Sequence, residues 1–462
     1  MSRPSIAPGS HAPDGLPVPR RYWAIAAILL AICMSVLDST ITNVALPTIA
    51  RDLQASSAVS IWVINAYQLA ILVVLLPLAS LGEVVGYRRV SLAGLAVFTL
   101  ASLACAFAPS LLTLSMARLI QGLGAAGIMS VNAALVRFTY PGRYLGRAIG
   151  INAFVVATSA ALGPTIASAV LAVAHWRWLF GINVPIGLLT IAIARYSLPE
   201  VERVRRPLNH TGAVLYAGTF GLLLAGLQSL AHHSATAFAL LEIAAGALLG
   251  WTLVRREQGR TAPLIPFDLL RVRLFSLSLA TSVCAFIAQM TALVSLPFEI
   301  QRLGHSAVET GLFMTPWPLA LAVAAPHAGR LAERYSAGLL GSLGLLVMSG
   351  GLALLALSPG SGGGPGFIWR MAVCGLGFGL FQSPNNHAIL SAAPRARSGA
   401  AGGMLSSARL VGQALGAAGV AILFRAFPAT GSNLALYAAA ALAFVAALVS
   451  VVRLTGTEGA GT

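Results

Sequence analysis

The sequence of 462 residues contains no lysine, so all 29 of its basic residues are arginine, and only 13 residues are acidic. Charged residues make up 9% of the chain, whereas a soluble domain has about 25%. Because this is too little charge to cover the surface of a soluble domain, the composition excludes a soluble enzyme. Hydrophobic residues make up 57%, which excludes a disordered basic tail. The same apolar composition weakens a nucleic-acid-binding interpretation of the net charge of +16.

Cysteine and catalytic motifs are also scarce. The 4 cysteines, Cys33, Cys105, Cys284 and Cys374, all lie in apolar runs, where cysteine behaves as a small hydrophobic residue. They indicate neither a disulfide framework nor a zinc site. The sequence contains no HExxH motif, no phosphate-binding loop and no recognisable Ser-His-Asp or paired-carboxylate set. We therefore predict no enzyme activity, no metal site and no cofactor.

Long apolar runs dominate the chain instead. A membrane-spanning helix needs about 20 mostly apolar residues. Fourteen runs of that order occur, near residues 23–46, 59–81, 90–108, 111–136, 147–173, 178–197, 211–231, 236–254, 274–298, 308–328, 337–357, 367–390, 400–424 and 434–452. The first run is too long for a secretory signal, and many more follow it. We therefore predict an all-α integral membrane protein with 14 transmembrane helices.

The positions of the arginines predict how these helices are oriented. An even number of spans places both chain ends on one side, and 22 of the 29 arginines fall in segments on that side. The positive-inside rule then predicts that both termini are cytoplasmic. The net charge therefore reflects orientation and predicts no acidic partner or nucleic acid. Two arginines, Arg118 and Arg409, lie within spans instead.

The chain also contains an internal repeat. The segments ASLGEVVGYRR (79–89) and GRLAERYSA (329–337) each follow an apolar run and carry an acid, Glu83 and Glu333, 250 residues apart. The same offset aligns the Gly163-Pro164 helix with the helix of Gly412 and Gly416. Chance alignment of glycine-rich helices is the alternative to a duplication. Transporters are commonly built from such repeats, with the substrate site at the repeat interface.

A duplication predicts two six-helix bundles with two extra helices between them. The predicted regions are an N-terminal cytoplasmic tail at 1–21, a first bundle at 22–197, linkers with the inserted helices at 198–272, a second bundle at 273–453 and a cytoplasmic tail at 454–462.

Four motifs occur in order on these helices: LDSTITNVALP (37–47) in span 1, GEVVGYRR after span 2, RLIQGLGAAG (118–127) in span 4 and a Gly-Pro step (163–164) in span 5. Together they resemble the fourteen-span drug:proton antiporters of the major facilitator superfamily, over all 14 spans. The resemblance implies two bundles that rock about a central cavity, with a proton entering as an amphipathic or cationic compound leaves. One departure is Val84, where the family usually has an arginine after the acid.

The resemblance and the repeat together predict a set of residues that govern the conformational change. These are Glu83, Gly86, Arg88, Arg89, Gly163, Pro164, Glu333 and Arg334.

Asp38 is the strongest candidate for proton coupling or cation binding. A carboxylate inside a span costs about 3 kcal/mol on insertion scales, which marks it as functional by default. Asp38 and Arg118 both lie roughly 11 Å below the outer surface at 1.5 Å per residue, so we expect them to meet if spans 1 and 4 are neighbours. A static Asp38–Arg118 ion pair and an N-terminal packing motif are the alternatives. The repeat offset places Ala288 opposite Asp38, which predicts coupling in one half.

Other polar and aromatic residues of the spans are candidates to line the cavity: Asn43, Trp62, Tyr67, Gln289, Trp317, Phe381, Gln382, Asn385 and Gln413. Three charged residues have open roles. Glu242 lies in the inserted pair, Glu299 is expected to be interfacial and solvated, and Arg409 is expected to mirror Arg118 or to bond to carbonyl groups. The GxGxxG pattern at 122–127 is interpreted as helix packing, because a dinucleotide site needs a preceding strand.

The sequence thus predicts a proton-coupled antiporter of a bacterial cytoplasmic or inner membrane. Its expected substrates are amphipathic, cationic small molecules, exported by a monomer whose other partners are protons and the lipid bilayer. The proton gradient, with no cofactor, would drive the exchange. The alternatives are an importer, an exporter of a specific metabolite, amino acid or lipid, and a non-coupled channel-like or scaffold protein.

Overall fold

The computed structural model describes residues 15–141, 144–201, 209–231, 236–258, 267–332, 334–357, 363–393 and 398–453. Within these ranges the secondary structure is helical, and 14 segments are long and apolar enough to cross a membrane. The predicted fold class and number of spans are confirmed. Residues 1–14 of the predicted N-terminal tail, the predicted tail at 454–462 and Glu333 lie outside the described residues.

The helices of the first half are α1 (Arg20–Asp52), α2 (Ser57–Ser60), α3 (Trp62–Val85), α4 (Tyr87–Ala106), α5 (Leu111–Thr139), α6 (Leu145–Val173), α7 (Trp178–Gly181) and α8 (Asn183–Ser197). The inserted pair is α9 (His210–Ala231) and α10 (Thr236–Glu257). The second half contains α11 (Phe267–Leu270), α12 (Arg273–Arg302), α13 (Ala307–Met314), α14 (Pro316–Leu331), α15 (Ala337–Leu357), α16 (Gly363–Ser391), α17 (Ser398–Ala426) and α18 (Gly431–Val452). The pairs α2 with α3, α7 with α8, and α13 with α14 each form one span.

Several helices extend beyond the predicted apolar runs. Residues 82–89 were expected to form the loop after the run at 59–81, but α3 continues to Val85 and only Gly86 separates it from α4. Gly86 has φ 111°, a backbone conformation that glycine adopts without the steric cost of a Cβ. Glu83 therefore lies in α3, while Arg88 and Arg89 lie in α4.

The packing of the helices repeats between the two halves. In the first half α1 packs on α6 and α8, α4 packs on α5 and α8, and α3 packs on α5. In the second half α12 packs on α17 and α18, α15 packs on α16 and α18, and α14 packs on α16. Each pair has its counterpart, which confirms two equivalent six-helix bundles. The inserted α9 lies against α3 and α17, one helix from each bundle, and α10 packs on α9.

Glycines allow the tightest of these helix crossings. A Cβ added at Gly94 would lie 2.8 Å from the carbonyl oxygen of Gly124 and 3.0 Å from the Cα of Gly127. In the second half a Cβ added at Gly344 would lie 2.6 Å from the carbonyl oxygen of Gly377. Gly344 and Gly377 follow Gly94 and Gly127 by the repeat offset of 250 residues. Small residues let the backbones of membrane helices approach closely, so this geometry supports the packing interpretation of the glycine pattern.

The side of the membrane on which α1 begins and α18 ends is here called the terminal side, and the opposite side is called the distal side. The two bundles meet on the distal side. Residues 41–47 of α1 are buried on every face of the helix, and they share an apolar core with residues of α12 and α13. Two hydrogen bonds also join the bundles there. Arg51 Nη2 donates to Gln301 Oε1 at 3.0 Å, and the hydroxyls of Thr165 and Thr315 lie 2.9 Å apart.

Helices α3 and α17, which face each other across the two bundles, are less tightly packed on the terminal side. Residues 402–406 of α17 are all partly exposed, and a Cβ added at Gly402 would meet no atom within 4 Å. Residues 76–81 of α3 are also partly exposed. The structure is thus closed on the distal side and more open on the terminal side.

The glycine crossing in α15 gives a test of the packing. We expect Gly344→Leu to lower the thermal unfolding midpoint in detergent, because the new side chain meets backbone that cannot move aside, and overpacking costs about 1–3 kcal/mol or more. Gly350→Leu is the matched control, since an added Cβ there meets no atom within 4 Å. Equal midpoints for the two variants would contradict the crossing.

Candidate functional site

Asp38 and Arg118 form a buried ion pair between α1 and α5. Arg118 Nη1 donates to Asp38 Oδ2, and each side chain is 1% exposed. The contact expected from the sequence is therefore present. The depths differ from the estimate, because α1 continues to Asp52. At 1.5 Å per residue, Asp38 lies about 21 Å from the distal end of α1, whereas Arg118 lies about 10 Å from the distal end of α5.

Two side-chain amides donate hydrogen bonds to the other oxygen of the carboxylate. Asp38 Oδ1 accepts hydrogen bonds from Gln121 Nε2 and Asn183 Nδ2, both at 2.9 Å. Gln121 in turn accepts from Arg118 Nη1 at 2.7 Å and donates to Ser102 Oγ at 2.8 Å. The network therefore joins α1, α4, α5 and α8, and both carboxylate oxygens have partners.

Arg118 has further contacts that fix its position. Its Nε donates to the carbonyl of Val63 at 3.1 Å, and its guanidinium carbon lies 4.1 Å from the ring centre of Tyr67 and 5.5 Å from that of Phe180. Tyr67 itself donates to the carbonyl of Ser35 at 3.0 Å. A desolvated cation over an aromatic face gains about 2 kcal/mol. The sequence identified the ion pair but missed Gln121 and Asn183, whose only signal is a polar side chain in an apolar run.

Of the predicted conformational residues, Glu83, Gly86, Arg88 and Arg89 lie at the terminal side of the first bundle. Arg88 donates to the carboxylate of Glu200 and to the carbonyl of Arg195, at the end of α8. Arg89 is exposed, and so is Arg334 in the second half. Arg88 therefore ties α4 to α8 within one bundle.

The Gly163-Pro164 step lies where α6 meets α1 and α13. A Cβ at Gly163 would lie 2.0 Å from the hydroxyl oxygen of Thr40. The carbonyl of Pro164 accepts from Ser168 Oγ at 2.9 Å, and a Cβ at Gly311 would lie 2.5 Å from that carbonyl oxygen. This step thus touches both halves of the protein.

The candidate cavity residues divide by exposure. Trp62, Gln289, Gln382 and Gln413 are partly exposed, whereas Asn43, Tyr67, Trp317, Phe381 and Asn385 are buried. The buried members pack within the structure as it stands, and the partly exposed ones are those that a solute could reach.

A second polar network lies in the second bundle, and sequence reasoning missed it. Arg453 was counted only as a marker of the cytoplasmic side, but it is 4% exposed. Its Nη1 donates to Ser278 Oγ at 3.0 Å and to Asn385 Oδ1 at 2.6 Å. Asn385 Nδ2 donates to Ser282 Oγ at 2.7 Å. Burial lowers the pKa of Arg453 to about 10, so the side chain stays protonated at neutral pH and holds α12, α16 and the end of α18 together.

The two acids with open roles are both bound by neighbouring side chains. Glu299 was expected to be solvated, but it is 0% exposed. It accepts from Arg302 Nη2 at 2.6 Å and also from the hydroxyl of Ser432, because α12 extends to Arg302 against the start of α18. Glu242 accepts from Ser229 Oγ at 2.6 Å, which joins α10 to α9. Within the described ranges, no group of three His, Cys, Asp or Glu residues could hold a metal ion.

Comparison with known proteins places this geometry in a family. The sequence model of the Major Facilitator Superfamily matches residues 28–417. The chain is 53% identical to the uncharacterized transporter YebQ of Escherichia coli K12, over 96% of this chain and 97% of the relative. It is 31% identical to the riboflavin transporter RibZ of Clostridioides difficile, over 86% of this chain and 87% of the relative. It is 29% identical to the multidrug efflux pump LfrA of Mycolicibacterium smegmatis, over 90% and 83%.

Solved structures share the fold at low sequence identity. A bacterial homologue of the human lysosomal transporter Spinster, in an inward-facing and occupied conformation, superposes with a TM-score of 0.70 at 16% identity, covering 95% of this chain and 98% of that one. A peptide-bound transporter of the POT family gives 0.70 at 15% identity, covering 95% and 96%. With its matching family model, its duplicated bundles and its drug-efflux relatives, the chain belongs to the major facilitator superfamily, whose members are multi-pass membrane transporters and not enzymes.

Proposed function

We propose that the protein is a proton-coupled antiporter that exports amphipathic small molecules by alternating access. The observation that carries this proposal is the buried carboxylate of Asp38, held by Arg118 and two amides. Relatives named as multidrug efflux and resistance proteins support export of small molecules.

The ion pair provides a means to bind and release a proton. In this structure the charge of Asp38 is balanced by Arg118, so the carboxylate needs no proton. A movement that separates the two side chains would leave a carboxylate alone in an apolar environment, where the charged form is costly. Protonation then removes that cost. Alternation between the paired and the separated arrangement would therefore couple proton binding to the conformational change.

The arrangement of the two bundles supports alternating access. The structure is closed on the distal side by the shared core of α1, α12 and α13 and is less tightly packed on the terminal side. The reverse state requires the distal contacts to part. With arginine concentrated on the terminal side, we propose that this side is cytoplasmic, in a bacterial inner membrane, so that the present state receives substrate from the cell interior.

The charge of the substrate depends on which charged side chains it can reach. A cationic substrate stays a prediction of the sequence. To bind here, such a substrate would need a carboxylate that no protein group already occupies. Both oxygens of Asp38 already have protein partners, so a cation could reach this carboxylate only after Arg118 had moved away.

Replacement of the carboxylate tests the coupling. We expect Asp38→Asn to abolish uphill dye transport in proteoliposomes under an imposed pH gradient, because the amide cannot bind the proton. Asp52→Asn, an exposed acid at the distal end of the same helix, is the matched control and should transport normally. A proton-collapsing agent should stop transport by the wild type.

The single variant leaves Arg118 buried without its partner, which can cost about 3–5 kcal/mol. The double variant Asp38→Asn/Arg118→Gln removes both charges and separates the two interpretations. If the pair is only structural, the double variant regains uphill transport, and the proposal is overturned. If Asp38 carries the proton, the double variant is stable but transports only downhill.

A cross-link tests the movement of the bundles. Because the hydroxyls of Thr165 and Thr315 lie 2.9 Å apart, cysteines at both positions would bring their sulfur atoms close to each other, as a disulfide requires. In a background without the four native cysteines, we expect Thr165→Cys/Thr315→Cys to lose transport on oxidation and regain it on reduction. The two single variants, treated alike, should remain active. Full transport by cross-linked protein would show that the distal contacts never part.

A further inference from the structure

Two faces of helix α17 pack against other helices. Its glycines contact α12, since a Cβ at Gly412 would lie 2.7 Å from the Cβ of Phe286, and one at Gly416 would lie 2.6 Å from the carbonyl oxygen of Ile287. On another face, Leu410 and Ala414 belong to the apolar core that contains residues of α3. α17 therefore bridges the second bundle and the first.

A polar strip runs along α17 between these two faces. At helical spacing it consists of Gly402, Ser406, Arg409 and Gln413, all partly exposed. The space beside Gly402 is open, since an added Cβ there meets no atom within 4 Å. Because α12 and α3 come from different bundles, the strip between the faces that touch them lies along the boundary between the bundles, on the side that is less tightly packed in this structure.

Arg409 lacks a protein partner on this strip. Among the described residues it forms no ion pair or hydrogen bond, and its Nε is buried without an acceptor. This differs from the expectation that Arg409 would mirror Arg118 or bond to carbonyl groups. Arg118 has an acid, an amide and a carbonyl as acceptors, and Arg453 has amide and hydroxyl acceptors.

The acids of the described helices do not supply the missing charge. Among the described residues no acid forms an ion pair with Arg409, and three acids within spans are bound elsewhere, Asp38 by Arg118, Glu299 by Arg302 and Glu242 by Ser229. A charged group within a span is costly and marks a functional site by default. The positive charge of Arg409 is therefore not neutralised by a protein group in this state and is available to a molecule that enters between the bundles.

We propose that Arg409 binds a carboxylate or similar anionic group of the transported molecule, with Gln413 one turn away as a further hydrogen-bonding group. Guanidinium and carboxylate groups match as paired, charge-assisted hydrogen bonds. The inference rests on the proposed transport function and deepens it by naming the substrate class, which is an amphipathic anion. A substrate of this class needs no contact with Asp38, which leaves that carboxylate to the proton.

Equilibrium binding to the purified full-length protein in detergent tests this inference without a pH gradient. The probes are a dansyl-labelled medium-chain carboxylic acid, its methyl ester and the corresponding primary amine, which share one apolar body and differ in charge. We expect the wild type to bind the acid most tightly. Arg409→Gln should weaken binding of the acid by roughly tenfold or more and leave the ester unchanged, whereas Arg409→Lys should keep the preference for the acid.

Arg425→Gln is the matched control, because it removes the same charge from an exposed position on the same helix; it should bind all three probes as the wild type does. The inference is overturned if the wild type binds the ester or the amine as tightly as the acid, if it binds no acid, or if Arg409→Gln binds the acid unchanged. Asp38→Asn should keep the preference for the acid while losing uphill transport, so failure of the coupling proposal is seen separately.

Discussion

Lipid gives apolar helices no hydrophobic reason to associate, so this fold depends on close approach of helix backbones at small residues. Gly94 packs against Gly124 and Gly127, and Gly344 packs against Gly377. A polar contact of the first bundle accompanies such an approach. The amide of Gln121, on the helix of Gly124 and Gly127, reaches the hydroxyl of Ser102 on the helix of Gly94 at 2.8 Å. Short interhelical distances thus allow short polar side chains to satisfy one another where water is absent.

The duplicated scaffold carries the buried Asp38–Arg118 pair in one half only. By the offset of 250 residues, Asp38, Gln121 and Ser102 correspond to Ala288, Met371 and Leu352, which are all apolar and 0% exposed. A buried ion pair is tolerated only when its remaining hydrogen-bonding capacity is met, and the first bundle meets it with amides and a hydroxyl from three helices. The second bundle fills the same space with methyl and thioether groups. At these three positions the second bundle therefore keeps the shape of the first without its ion pair.

The sequence predicted the parts of this structure that depend on length, spacing and charge. Apolar runs of sufficient length defined the 14 spans, and similar depths from one surface suggested that Asp38 and Arg118 could meet. The sequence did not predict the amide partners, because contact between Asn183 and Asp38 depends on how α8 rotates against α1. It also misjudged Glu299, since the apolar run ends before the helix does. Burial of Arg453 depends in the same way on packing between helices distant in sequence.

The contact between Arg51 and Gln301 joins two positions that are 250 residues apart and so equivalent in the two halves. Such a pair lies on the axis that relates the halves. Two identical subunits would place the same side chain at both positions, which would set arginine against arginine or glutamine against glutamine. Fusion of the halves into one chain allows a donor on one side of the axis and an acceptor on the other. The contact between the bundles can thus include a hydrogen bond at a point where a symmetric dimer would place two identical side chains against each other.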